Sequence, residues 1–107
     1  MIDGIVAGRL HTDAEQRVDK FGKAFTVVKM KASTAEGEGV LVNVIAFDAA
    51  CQDALRRLRE GDAVALAGAL TPRVWTDKQG NARPALDMVA HRSLVTEAPL
   101  EARPALD

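Results

Sequence analysis

The hydrophobic pattern of this chain changes period once, and that change restricts its fold more than any other feature. Residues 48–60, DAACQDALRRLRE, place Cys51, Leu55 and Leu58 at i, i+4 and i+7, the apolar stripe of an amphipathic helix. Asp48 precedes the stripe as an N-cap and Gly61 follows it where a C′ glycine belongs. Arg56, Arg57 and Arg59 stand toward the negative end of the helix dipole. The other apolar segments read as strands. Residues 2–10, IDGIVAGRL, are short and interrupted by glycines, as in a strand that must bend. Residues 25–32, FTVVKMKA, put Val28, Met30 and Ala32 on one face and Val27, Lys29 and Lys31 on the other. Residues 40–47, VLVNVIAF, are almost continuously apolar, so this strand is covered on both faces or has an exposed face meant for contact. After the helix, residues 63–75 and 84–95 flank the glycine-bearing connection TDKQGN, a hairpin. The polar stretch 11–23, HTDAEQRVDKFGK, and the loop STAEGEG carry no strand pattern.

Three strands, one helix and two strands is the order of a five-stranded OB barrel, an all-β fold with its helix between the third and fourth strands. A small SH3-like barrel or a split α+β sheet satisfies the same pattern. The length of 107 residues gives one domain, expected over residues 1–95, with a short mobile C-terminal tail at 96–107. The hexapeptide ARPALD occurs twice, at 82–87 and at 102–107.

Hydrophobic residues make up 48% and charged residues 27%, the balance of a soluble globule. No apolar run approaches the roughly 18 residues of a membrane span, so no membrane partner is expected. The N-terminus lacks a basic n-region, and the single cysteine cannot form an internal disulfide and so gives no sign of an oxidising compartment; the cytoplasm is the default expectation. A net charge of −1 argues at first against a polyanionic partner. Its distribution argues otherwise. Lys20, Lys23, Lys29 and Lys31 fall within residues 20–31 without an acid among them, and Arg73, Lys78 and Arg83 within 73–83 are opposed only by Asp77.

Catalytic chemistry finds no foothold. Cys51 lies on the apolar stripe of the helix, the place of a small core residue rather than a nucleophile. His11 and His91 are isolated, no ligand cluster has metal-binding spacing, and neither a phosphate-binding loop nor a dinucleotide fingerprint is present. No enzyme activity, metal or cofactor is expected.

The four aromatic residues are Phe21, Phe25, Phe47 and Trp75. Val64, Leu66 and Leu70 take the even positions of their strand and fill the core, so Arg73 and Trp75 project outward if the register survives Pro72. An outward tryptophan beside Arg73, Lys78 and Arg83 is a stacking platform with phosphate neutralisers. Parity allows equally a tryptophan buried beneath the loop or at a subunit interface.

The segment GALTPRVWTDKQGNARPALDMVA resembles the fourth and fifth strands of bacterial single-stranded DNA-binding proteins, which read G-x-L-x-x-x-x-W-x-D-x-x-G-x-x-R. Gly68, Leu70, Trp75, Asp77, Gly80 and Arg83 occupy those positions. Weaker likenesses in IVAGRLHTDAE and VNVIAFDAACQDALRRLREGDAVALAG extend the resemblance over residues 4–95. It implies an OB fold, a homo-oligomer (dimer or tetramer), single-stranded DNA as partner and little sequence preference, in replication, recombination or repair, with replication or repair proteins as possible partners. Trp75 matches the family's fourth-strand stacking tryptophan and Phe47 its third-strand phenylalanine, for which a core role is nearly as well supported. Arg9, Lys20, Lys23, Lys29, Lys31, Arg73, Lys78 and Arg83 are the candidate phosphate contacts. About five neutralised phosphates would give log affinity a slope near −3.5 against log salt. Leu41 stands where the family usually has tryptophan and Asn43 where a basic residue is common. The family's acidic tail tip ending in Phe is absent. Those departures leave a second resemblance open, to primosomal replication protein N, an OB adaptor acting mainly through protein contacts with weak single-stranded DNA affinity.

Overall fold

A computed structural model describes residues 1–94, which form six strands and one helix. In chain order these are β1 (Ile2–Leu10), β2 (Glu15–Val18), β3 (Ala24–Ser33), β4 (Gly39–Ala46), α1 (Ala49–Arg56), β5 (Ala63–Thr76) and β6 (Ala82–Ser93). The first copy of ARPALD opens β6; the second, with the tail expected at 96–107, lies outside the described residues.

β1 pairs antiparallel with β5, β5 with β6 and β3 with β4, while β4 and β6 run parallel. Arg9 and Leu10 of β1 then meet Lys31 and Met30 of β3, which closes a ring of five strands. This is the expected OB arrangement. The helix leaves from the end of β4 and the chain returns as β5.

Two glycines permit the closure. A Cβ on Gly8 would come within 2.3 Å of the Lys31 carbonyl oxygen, where β1 crosses to β3. A Cβ on Gly68 would come within 2.1 Å of the Val89 carbonyl oxygen, at the irregularity where β5 and β6 change register between Ala67 and Gly68. No larger residue fits either crossing without moving backbone.

The inner faces of the strands supply the core: Met30, Val42, Val44, Leu66 and Met88 are buried, with Cys51 and Leu55 entering from α1. Desolvation, and then the charge of Asp48, push the Cys51 thiol above its ordinary pKa, in keeping with its core position. The helix is also pinned by polar contacts. Gln52, buried, accepts from the Thr26 hydroxyl at 2.9 Å and donates to the carbonyls of Ala24 and Phe47.

Two elements depart from the sequence reading. The helix ends at Arg56 rather than Glu60, with Arg57 as its C-cap. Asp62 accepts from the Arg59 amide and Asp13 from the Glu60 amide, so side chains draw those N–H groups out of the helical ladder. Gly61 belongs instead to the turn that follows, at φ +92. The polar stretch 11–23 contains β2, which adds to the edge of β3 as a hairpin through pairs from Glu15–Val27 to Val18–Ala24.

Candidate nucleic-acid interface

The ring leaves one broad face uncovered by the helix. On β4 the side chains of Val42, Val44 and Ala46 point inward, so Leu41, Asn43 and Ile45 look out of the barrel. The apolar run therefore takes the second of its two readings, a strand with one face open for contact. Beside it Val27 and Lys29 of β3, Thr71 and Arg73 of β5, and Asp87 and Val89 of β6 complete an open groove of about 650 Å3.

The register fixes what stands at each end. Leu41 aligns with Ala85, and Ala85 with Arg73. Trp75 lies two residues beyond Arg73 with the same orientation, because the β5–β6 pairing runs from Gly68 to Thr76 without a shift at Pro72. Phe47 lies on the opposite side, past Ile45. About eight residue steps separate them along the strands, roughly 26 Å at ~3.3 Å per residue. Trp75 is 44% exposed and Phe47 54% exposed. Phe47 has a partner that the sequence reading did not single out: the Phe25 ring lies 5.9 Å away at 46°. The signal was available, since Phe25 shares its strand parity with Val27 and Lys29.

Trp75 is carried on an arm. Its neighbours pair only with β6, because β1 covers β5 no further than Leu70 and β4 covers β6 no closer to the turn than Ala85. The arm's turn is built by the three motif residues that follow the tryptophan. The Asp77 carboxylate accepts from the Gln79 and Asn81 amides and from Arg83 Nε at 2.9 Å, and Gly80 takes φ +84. The Asn81 amide and then the Arg83 guanidinium hold the Asp77 carboxyl below its ordinary pKa. Arg83 also reaches Glu38, at 3.8 Å.

Acids accompany the cations more closely than their separation along the chain suggested. Arg17, Lys29 and Arg73 in the groove walls are matched by Asp13, Glu15 and Asp87. Arg17 pairs with Glu15, and Arg73 with Asp87. Asn43 donates to the same Asp87, at 3.2 Å. Among the described residues Lys29, Lys31 and Lys78 form no ion pair; the first lies in the groove, the second next along β3 and the third on the arm's turn. Arg9 donates instead to the Gly61 carbonyl, away from the groove, and Lys20 and Lys23 stand on the β2–β3 hairpin. No group of three or more His, Cys, Asp or Glu side chains is placed to hold a metal, and no helix is long and apolar enough to cross a membrane, among the described residues.

The fold is similar to that of a small single-stranded DNA-binding protein from Streptomyces coelicolor, at 20% identity over 86% of this chain and 91% of that one, with a TM-score of 0.66. A mitochondrial single-stranded DNA-binding protein from S. cerevisiae gives 14% identity, coverage of 86% and 91%, and a TM-score of 0.64. A Plasmodium falciparum relative solved in complex with single-stranded DNA gives 12%, 83% and 85%, and 0.60. No curated protein sequence matches the chain significantly. Residues 1–95 match the model of the single-strand binding protein family, and the chain belongs to that family.

Proposed function

We propose that the protein binds single-stranded DNA with little sequence preference, as a homo-oligomer that covers strands exposed in replication, recombination or repair. One observation carries the reading: along one outward face of the sheet the register sets Trp75 beyond one end of an open groove and the Phe47–Phe25 pair beyond the other. Every base has a π face, so stacking on such platforms tolerates any sequence, and their spacing suits the roughly 4–16 nucleotides an OB fold engages. Lys29, Lys31 and Lys78 are available to phosphates as they stand. Arg73 and Arg83 would exchange a carboxylate for a phosphate. Proteins of this family are not enzymes, and this member is a binding protein.

Support for self-association comes from β1. Its pairing with β3 is confined to Arg9 and Leu10, and Gly8 lies against the β3 backbone, so on the side away from β5 the edge from Ile2 to Ala7 has no paired strand among the described residues, and Ile2 and Ile5 are exposed. Mass in solution tests that part. Trp75, the one tryptophan, reports on the rest. Titration with oligo(dT) should quench its fluorescence strongly, and salt should weaken the effect. Absence of quenching at low salt and micromolar protein would overturn the reading in favour of an adaptor that works through protein contacts.

A further inference from the structure

The β2–β3 hairpin is a second arm. β2 pairs with β3 only, and the register carries its tip past Phe47 and Phe25, at the end of the groove opposite Trp75. At that tip stands Phe21, 81% exposed and the most exposed aromatic among the described residues. The turn that displays it is fixed. Asp19 Oδ1 accepts from the Phe21 amide at 2.8 Å and from the Lys23 amide at 2.9 Å. The Gly22 amide donates to the Asp19 carbonyl, and Gly22 takes φ +83. Lys20 Nζ lies 5.3 Å from the Phe21 ring centre.

The tip also carries cations free of ion pairs, as Lys29 does in the groove. Arg17, Arg73 and Arg83 each face a carboxylate, whereas neither Lys20 nor Lys23 forms an ion pair among the described residues. A hydrogen-bonded turn with an exposed phenyl ring, Lys20 over one side of it, and two ammonium groups outside any ion pair fits one ligand element well, a nucleotide whose base stacks while its flanking phosphates are neutralised.

We propose that the hairpin tip is a second subsite for the strand: Phe21 stacks a base, Lys20 and Lys23 hold the adjoining phosphates, and the strand reaches them from the groove across Phe47 and Phe25. This rests on the reading of the groove as a site for single-stranded DNA. An oligonucleotide seated at Trp75 must then be long enough to extend to the tip before Phe21 contributes.

Length dependence tests the proposal. Oligo(dT) of about 6 and about 16 nucleotides, within the range of OB site sizes, would be titrated into the full chain with Trp75 fluorescence as readout. Phe21→Ala should weaken the longer oligonucleotide about fivefold or more, the effect of one lost stacking contact, and leave the shorter within about twofold. Phe21→Tyr should behave as wild type. The salt slope for the longer oligonucleotide should exceed that for the shorter by about 1.4, from two more phosphates, and Lys20→Gln with Lys23→Gln should abolish the difference. Equal loss at both lengths, no loss at either, or a changed elution volume on Phe21→Ala would overturn the subsite while Trp75 quenching in wild type still upheld the groove. Lack of that quenching would bring down the groove reading itself, and the subsite with it.

Discussion

Arg73 on β5 donates through Nε to Asp87 Oδ2 on β6 at 2.7 Å, and the other carboxylate oxygen is held by Asn43 on β4. Three adjacent strands thus meet at one carboxylate within a groove proposed to receive a polyanion. Asp87 occupies the guanidinium that a phosphate would use and adds a negative charge to the path. Asp87→Ala should therefore tighten oligo(dT) binding by about two- to fivefold at low salt, from the ~0.5–1 kcal/mol scale of exposed charge pairs. Thermal unfolding should shift by no more than about 1 kcal/mol equivalent, because the pair is largely exposed. Weaker binding by the variant would contradict this.

The same pairing changes the expected salt response. With Arg73 and Arg83 already opposed, the unopposed Lys29, Lys31 and Lys78 dominate for a short oligonucleotide, which gives a slope near −2 rather than −3.5 at about 0.7 per phosphate. Asp87→Ala should steepen it by up to about 0.7. Fluorescence titrations across a series of salt concentrations would measure both.

Trp75→Ala should cost about 1–3 kcal/mol of oligo(dT) affinity without changing elution volume, since one stacking platform is lost and the residue lies outside the hydrophobic core cluster. Anisotropy of a labelled oligonucleotide provides the readout once the fluorophore is gone. Dissociation of the oligomer would identify Trp75 as a subunit contact instead.

Gly8→Ala and Gly68→Ala each drive a Cβ into a backbone carbonyl, so each should destabilise the fold by about 3 kcal/mol, at or beyond the upper end of core overpacking. Gly4→Ala is the control. Its Cβ would meet only the Leu70 side chain, nearest at Cδ1 at 2.9 Å, and a side-chain end can turn away. Chemical denaturation of the three variants should separate the pair from the control.

Asp77 links the arm to pH. Its folded pKa is lowered, first by the Asn81 amide and then by Arg83, so the stability it adds is fully present above the unfolded carboxylate value near ~3.9 and is lost as pH falls through the folded value. Asp77→Asn should accordingly lower Tm at neutral pH, and the difference from wild type should shrink below about pH 4. A difference independent of pH down to strong acid would rule out the carboxylate as the cause.

Strand parity was the most legible part of the sequence. Val64 and Leu66 enter the core and Trp75 faces outward because Pro72 lies on an arm where the pairing continues unshifted. β2 was not legible, because all four of its residues are exposed and give no alternation. The helix end was misplaced because Asp13, far away in the chain, competes for a backbone amide. Charge was misjudged for a related reason. Asp87 is fourteen residues from Arg73 along the chain yet reaches it across one strand pair, so counting charges by segment separated partners that the sheet joins.

The pattern by which the chain resembles its family carries a corollary for recognising such proteins. Asp77, Gly80 and Arg83 tie a turn, and Gly68 lets two strands cross; Trp75 is left to face solvent. A sequence that kept every position except the tryptophan would build the same arm with nothing to offer a base. The signature is thus mainly a record of how the hairpin is made, and possession of it predicts architecture far more securely than grip.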